Sequence, residues 1–209
     1  MNLKGVKNII FDLGGVILNL DYHKTENAFK KLGISNFDEI YSQAKQTNLF
    51  NHLETGIIGE EEFCSELNRL TNSNYTNTEI IKCWNAMLLD LPSARIELIK
   101  KLKDKYRLFL LSNTNEIHLK SFSKTIDINF SSDLFSELFE NHYYSHILGM
   151  RKPHPETFTK VLELNNLKAS ETFFIDDSIQ HIEGAKKAGL KTYFLTPNED
   201  ISSLFSIHT

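Results

Sequence analysis

Cysteine is scarce in this chain, with only Cys64 and Cys83 among 209 residues. Two thiols far from any His/Cys cluster make neither a disulfide framework nor a zinc site, and a reducing, cytoplasmic setting is the simple expectation. Long apolar runs are missing as well. None approaches the ~20 residues needed to cross a bilayer, and the few consecutive apolar residues between Met1 and Asp12 fall short of a signal peptide's apolar region, so no membrane is expected as a partner. An excess of basic charge is also absent. The 23 Lys and Arg against 27 Asp and Glu leave a net charge of -4, which speaks against nucleic acid as a partner. The one basic run, Lys100-Lys101-Leu102-Lys103-Asp104-Lys105, reads as a solvated helix end, where cations are favoured. No internal repeat, low-complexity tract or flexible linker interrupts the chain. What remains, 41% hydrophobic and 24% charged residues, is the composition of a soluble globular protein. The length suffices for one domain plus a smaller appendage.

Short apolar runs at Asn8 to Phe11, Arg107 to Leu111, Thr172 to Ile175 and Lys191 to Leu195 read as buried strands, each separated from the next by helical pattern. Between the last two, Ile179, Ile182 and Ala185 repeat at helical spacing, with Ser178 as N-cap and Gly189 as C-terminal stop. Pro155 starts a helix with Phe158, Val161 and Leu162 on one face. Such alternation predicts an α/β fold with a parallel sheet. The segment from about 16 to 90 breaks the rhythm. It shows no strand but several amphipathic stretches: Ala28 to Leu32 ending at Gly33, Phe37 to Ala44, Phe63/Leu67/Leu70, and Ile80/Ile81/Trp84/Met87/Leu88. This is the pattern of a helical insert after the first strand, poised over the sheet's carboxyl edge, with Phe63 and Trp84 in its own core.

Asp12 stands at the end of the first apolar run and directly before Leu13-Gly14-Gly15. Taken alone, a turn-forming aspartate explains it as well as chemistry does. Three further polar clusters fall where the sheet places loops: Ser112-Asn113-Thr114-Asn115, Arg151-Lys152-Pro153, and Asp176-Asp177. Each has a bland reading as turn, cap or surface lysine. Four of them on one edge of one sheet are much harder to dismiss, because ligands of parallel sheets bind beyond the carboxyl ends of the strands. The set suits phosphoryl transfer. A carboxylate nucleophile splits ester hydrolysis into two easier displacements. Further carboxylates beside it call for a cation, and hard oxygen donors favour magnesium. A hydroxyl, backbone amides and a lysine oppose the phosphoryl charge.

In order and separation the four clusters resemble the four motifs of the haloacid dehalogenase (HAD) superfamily. The resemblance covers essentially the whole chain and rests on Phe11-Asp12-Leu13-Gly14-Gly15-Val16, Leu111-Ser112-Asn113, Lys152-Pro153 and Ile175-Asp176-Asp177. It implies a Rossmann-like core, residues 1–15 and 91–209, with a helical cap of the C1 type at 16–90. It also implies that Asp12 is the nucleophile, that Ser112 and the Asn113 amide bind phosphate, and that Lys152 neutralises nucleophile and phosphoryl charge. Asp176, Asp177, Asp12 and the Gly14 main-chain carbonyl would hold Mg²⁺. The expected partner is a small-molecule phosphate ester; an oligomeric state is not indicated.

One position departs from the pattern. Most phosphatases of the superfamily carry a second aspartate two residues after the nucleophile as general acid and base, and here that residue is Gly14. Proton transfer of this kind contributes about 10² to 10⁴ in rate. The wording Asp12-Leu13-Gly14, with Leu148-Gly149-Met150-Arg151-Lys152-Pro153, resembles a narrower bacterial subgroup that includes an α-D-glucose-1-phosphate phosphatase. An anomeric oxygen leaves more readily than an ordinary sugar hydroxyl, so a sugar phosphate is the favoured substrate class. Asp21 and His23, just past the first motif, are candidates for a substitute proton donor. Two other readings compete. In a haloacid dehalogenase-type hydrolase the paired acids would be unneeded, since displacing halide requires no metal. In a catalytically silent binding protein Gly14 would mark decay, but Asp12, Lys152 and both metal acids would have no reason to persist.

Overall fold

The computed structural model describes residues 3–34, 37, 39, 41 and 48–205. Its centre is a five-stranded parallel sheet of β1 (Asn8–Phe11), β2 (Arg107–Ser112), β3 (Asn141–Tyr144), β4 (Thr172–Asp176) and β5 (Lys191–Phe194), in the order β3-β2-β1-β4-β5. β1 and β4 are buried along their whole length. Strands covered on both faces need apolar residues at every position rather than at alternate ones, which is why these runs stand out in the sequence. β3 does not stand out. Asn-His-Tyr-Tyr lies at the sheet edge with its first two residues exposed, so no apolar run announces it.

The chain moves outward from β1 to β2 and β3, then returns past β1 to β4 and β5. The strand order therefore reverses between β1 and β4, and that switch point is where open α/β sheets bind ligands. Ile10, Phe109 and Phe174 pack one face against α9 (Pro155–Leu164) and α10 (Ile179–Lys187). Ile9, Phe11, Leu108 and Leu110 pack the other against α5 (Ser93–Leu102) and α6 (Glu116–Asn129), and the short helices α7 (Leu134–Leu138) and α8 (Ser145–Leu148) flank β3. Ser178 takes the N-cap position of α10 without a side-chain capping bond; its backbone N–H is held by Asp176 Oδ1 at 2.7 Å. The lysine run falls at the end of α5, as its composition suggests.

Between β1 and α5 lie α1 (Tyr22–Leu32), α2 (Leu49–Glu54), α3 (Glu60–Thr71) and α4 (Asn77–Trp84), the last continued by a 3-10 turn over Asn85–Met87. They enclose a separate apolar cluster containing Phe29, Leu53, Phe63, Leu67, Ile80 and Trp84. α4 opens with a capping box in which Thr76 and Glu79 satisfy each other's backbone N–H groups, worth ~1 kcal/mol. Most of the expected stretch from Phe37 to Ala44 lies outside the described residues. Cys64 and Cys83 are free and buried in this cluster. Among the described residues no helix is long and apolar enough to cross a membrane.

Candidate active site

β1 and β4 pair in register up to Phe11 and Ile175, so the residues that follow, Asp12 and Asp176, emerge side by side at the carboxyl edge. The Asp12 N–H still donates to Ile175 O at 2.9 Å. Between the two carboxylates lies the Lys152 ammonium, fully buried, with Nζ 2.8 Å from Asp12 Oδ1 and 2.7 Å from Asp176 Oδ2. The loop that delivers it is pinned by Asn113. Its side chain accepts from Lys152 N at 3.0 Å and donates to Lys152 O at 2.9 Å. The Asn113 side chain is thereby committed to the lysine loop, and its own main-chain N–H is what it can turn toward a ligand. Ser112, 2% exposed, closes β2 beside it.

Oδ1 of Asp12 also accepts from Leu13 N at 2.7 Å. Both bonds fall on one oxygen, leaving Oδ2 as the one a reacting atom can approach. Burial and the Asp176 charge push the Asp12 carboxyl well above the usual carboxylate range, against the pull of Lys152. Burial opposes the charge of Asp176 too, but there Lys152 and His181 outweigh it and hold the carboxyl down at about 2. The pair is thus one negative charge better compensated than the other. Asp177 adds a third acid, itself raised by burial and by Asp176.

Asp177 turns its side chain to Gly15. Gly15 has φ +73, and a Cβ there would come within 1.9 Å of Asp177 Oδ2, so this position accepts only glycine. Gly14 is different: its backbone is ordinary, but a Cβ would meet Leu20 Cδ1 at 2.6 Å. Leu20 fills the space into which a residue-14 side chain would project. His181 was not evident in the sequence. It sits in the first turn of α10, with Nδ1 3.0 Å from both Asp176 oxygens, and the ligand atoms of Asp12, Asp176 and His181 lie within 4.8 Å of one another. The available signal was its place, five residues after Asp176 at the start of a helix leaving the site.

A cavity of about 390 Å³ opens from this edge toward the helical segment, bordered by Leu13, Gly14, Ser112 and Asn113 on one side and by Phe50, Glu54, Trp84 and Met87 on the other. His23 lies at its rim, next to Asp21 at the start of α1. Asp21 caps α1 through His23 N at 3.0 Å, while the His23 side chain is 87% exposed and paired with Glu26.

Fold and site together define a Rossmann-like parallel sheet with a carboxylate centre at its switch point. The chain belongs to the haloacid dehalogenase-like hydrolase family, which it matches over residues 6–189. It is 31% identical over 188 residues to a D-ribitol-5-phosphate phosphatase of Bacteroides thetaiotaomicron, covering 90% of this chain and 91% of that one. A glyceraldehyde 3-phosphate phosphatase of Pyrococcus furiosus is 27% identical over 202 residues, 91% of this chain and 80% of its own. The crystal structure of a HAD family enzyme from Bacteroides thetaiotaomicron, in complex with magnesium and inorganic phosphate, superposes with a TM-score of 0.85 at 36% identity, covering 96% and 99% of the two chains.

Proposed function

We propose that this protein is a magnesium-dependent phosphatase that hydrolyses a small phosphomonoester, a sugar or polyol phosphate foremost, through an aspartyl-phosphate on Asp12. The observation that carries the reading is the buried Asp12–Lys152–Asp176 array at the switch point of the sheet. In this reading Asp12 Oδ2 attacks phosphorus, and Lys152 keeps Oδ1 charged and in place. The Ser112 hydroxyl and the Asn113 main-chain N–H hold the phosphoryl oxygens. Residues 16–90 act as the cap over a core of 1–15 and 91–209, and the cap's side chains select the group attached to phosphate.

The donor set fits magnesium. Two buried acids, Asp12 and Asp176, share one lysine, and the exposed Asp177 adds a third negative charge beside them. Hard oxygens in such surplus suit a small divalent cation. Asp12, Asp176, Asp177 and the Gly14 carbonyl would hold it, with His181 orienting Asp176. When bound, the ion supplies charge neutralisation for the phosphoryl group and its attacking oxygen. Similarity to phosphatases acting on small polyol and triose phosphates supports the substrate class.

A phosphatase screen over sugar phosphates, polyol phosphates and nucleotides, with and without Mg²⁺, tests the reading. Activity is expected on a sugar or polyol phosphate, lost on chelation, and reduced on the order of 10⁴-fold or more by Asp12→Asn with the fold intact. Turnover that survives Asp12→Asn sinks it.

A further inference from the structure

Resting on the phosphatase reading, we propose that Glu54, delivered by the helical segment and steadied by Arg151, is the proton-transfer residue that takes the place of the acid missing at position 14.

In-line displacement at phosphorus puts the leaving oxygen opposite the attacking Asp12, on the side where the cavity opens. Residue 14 borders that cavity but brings no side chain, and Leu20 occupies the space an acid there would need. The donor must come from elsewhere on the cavity wall. Among the described lining residues, the carboxylates are Glu26 and Glu54. Glu26 is taken up by Lys30 and His23, which hold it below the usual range. His118 has both ring nitrogens engaged, by Asn115 and the Trp84 carbonyl, and burial keeps it neutral down to about 4. The Tyr22 hydroxyl is pushed up to about 12, and the Tyr41 hydroxyl upward as well, both chiefly by burial.

Glu54 closes α2, next to the buried Leu53. Its Oε2 lies 2.9 Å from Arg151 Nη2, yet it is buried and receives no aligned hydrogen bond. The ion pair fixes that oxygen in place without an aligned hydrogen bond. Arg151 directly precedes Lys152, so one loop positions both the ammonium at Asp12 and the guanidinium at Glu54. Burial raises the Glu54 carboxyl, with Arg151 and Lys152 opposing; a raised carboxyl is the direction an acid working near neutral pH requires. The charged and titratable groups that face it are Arg151, Lys152, Tyr41 and Tyr22.

The step balances. As Asp12 bonds to phosphorus and the ester P–O bond breaks, the electron pair goes to the leaving oxygen and the Glu54 proton goes with it, releasing a neutral alcohol. The Glu54 carboxylate then takes a proton from the water that attacks phosphorus, and the Asp12 carboxylate is restored as its bond to phosphorus breaks. Esters of ordinary alcohols, such as the polyol phosphate of the relative named above, need that proton; a nitrophenolate does not.

First-turnover rates with Mg²⁺ test this on Glu54→Gln, which keeps size and removes the proton. With ribitol 5-phosphate the first turnover is expected to slow about 10²- to 10³-fold, while the nitrophenolate burst from p-nitrophenyl phosphate keeps its rate within about threefold. The burst also reports that the variant is folded. Equal losses on the two esters would reduce Glu54 to a structural role and overturn the proposal, and so would no loss on either. A wild-type enzyme that releases no nitrophenolate and no phosphate at all in the presence of Mg²⁺ would bring down the phosphatase reading first, which separates the two failures.

Discussion

The two walls of the cavity are built on opposite terms. Just behind the sheet side, Asp12, Lys152 and Asp176 are deeply buried and answer one another at 2.7 and 2.8 Å, with Leu13 N, Ser178 N and His181 completing their bonds. On the helical side, Glu54 Oε2, Trp84 Nε1 and Asn85 Oδ1 are buried without a hydrogen-bond partner, and the loop facing them adds His146 Nδ1 and Arg151 Nε. An unpartnered buried polar atom costs ~1–3 kcal/mol, so such atoms are rare and call for an explanation. Of these residues, Glu54 and Trp84 border the cavity. The sheet wall is preorganised for one invariant task, the handling of phosphate.

Removing Lys152 would break this contrast most severely. Lys152→Met leaves two buried carboxylates unanswered, and a loss of about 3–5 kcal/mol in urea denaturation is expected. The loss should shrink toward acid pH as the carboxylates take up protons. A loss below ~1 kcal/mol would mean that the sheet wall is no better matched than a surface ion pair.

The seam between the walls comes next. The Asn115 Oδ1 accepts from His118 N at 3.0 Å, which turns its Nδ2 toward His118 Nδ1 at 3.2 Å. His118 Nδ1 therefore accepts, and Nε2 donates to the Trp84 carbonyl at 3.3 Å. A second proton on this ring would face a donor. Burial accordingly lowers His118 to about 4, against ~6.5 in an unfolded chain. Between those values the unfolded chain binds the extra proton, so stability rises with pH through that window, by roughly 3 kcal/mol at most. Urea midpoints followed from pH 4 to 7 should show this slope, and His118→Phe should flatten it.

The smallest effect concerns Gly14. Gly14→Asp drives a Cβ into Leu20 and should cost ~1–3 kcal/mol, and Leu20→Ala in the same chain should recover most of it. Costs that simply add in a double-mutant cycle would show that Leu20 does not occupy the missing acid's place.

Strands buried on both faces were legible because apolar residues dominate them, and the polar groups at their carboxyl ends were legible as a site by contrast. Edge strand β3 was not, since half of it faces solvent. His181 escaped because a histidine at the start of a surface helix reads as solvated until the helix is laid against Asp176. Glu54 escaped for a stronger reason. Nothing local distinguishes it from the other acids of the helical segment until the fold sets it against Arg151.

The sequence by itself determined the family, the parallel sheet and the residues gathered at its carboxyl edge, because each is encoded within a few neighbouring positions. Only the tertiary structure decided what surrounds Gly14. Leu20 folds back over it, and Glu54 borders the same cavity from a helix far along the chain; the turn that returns Leu20 and the packing that brings Glu54 across leave no local pattern to read.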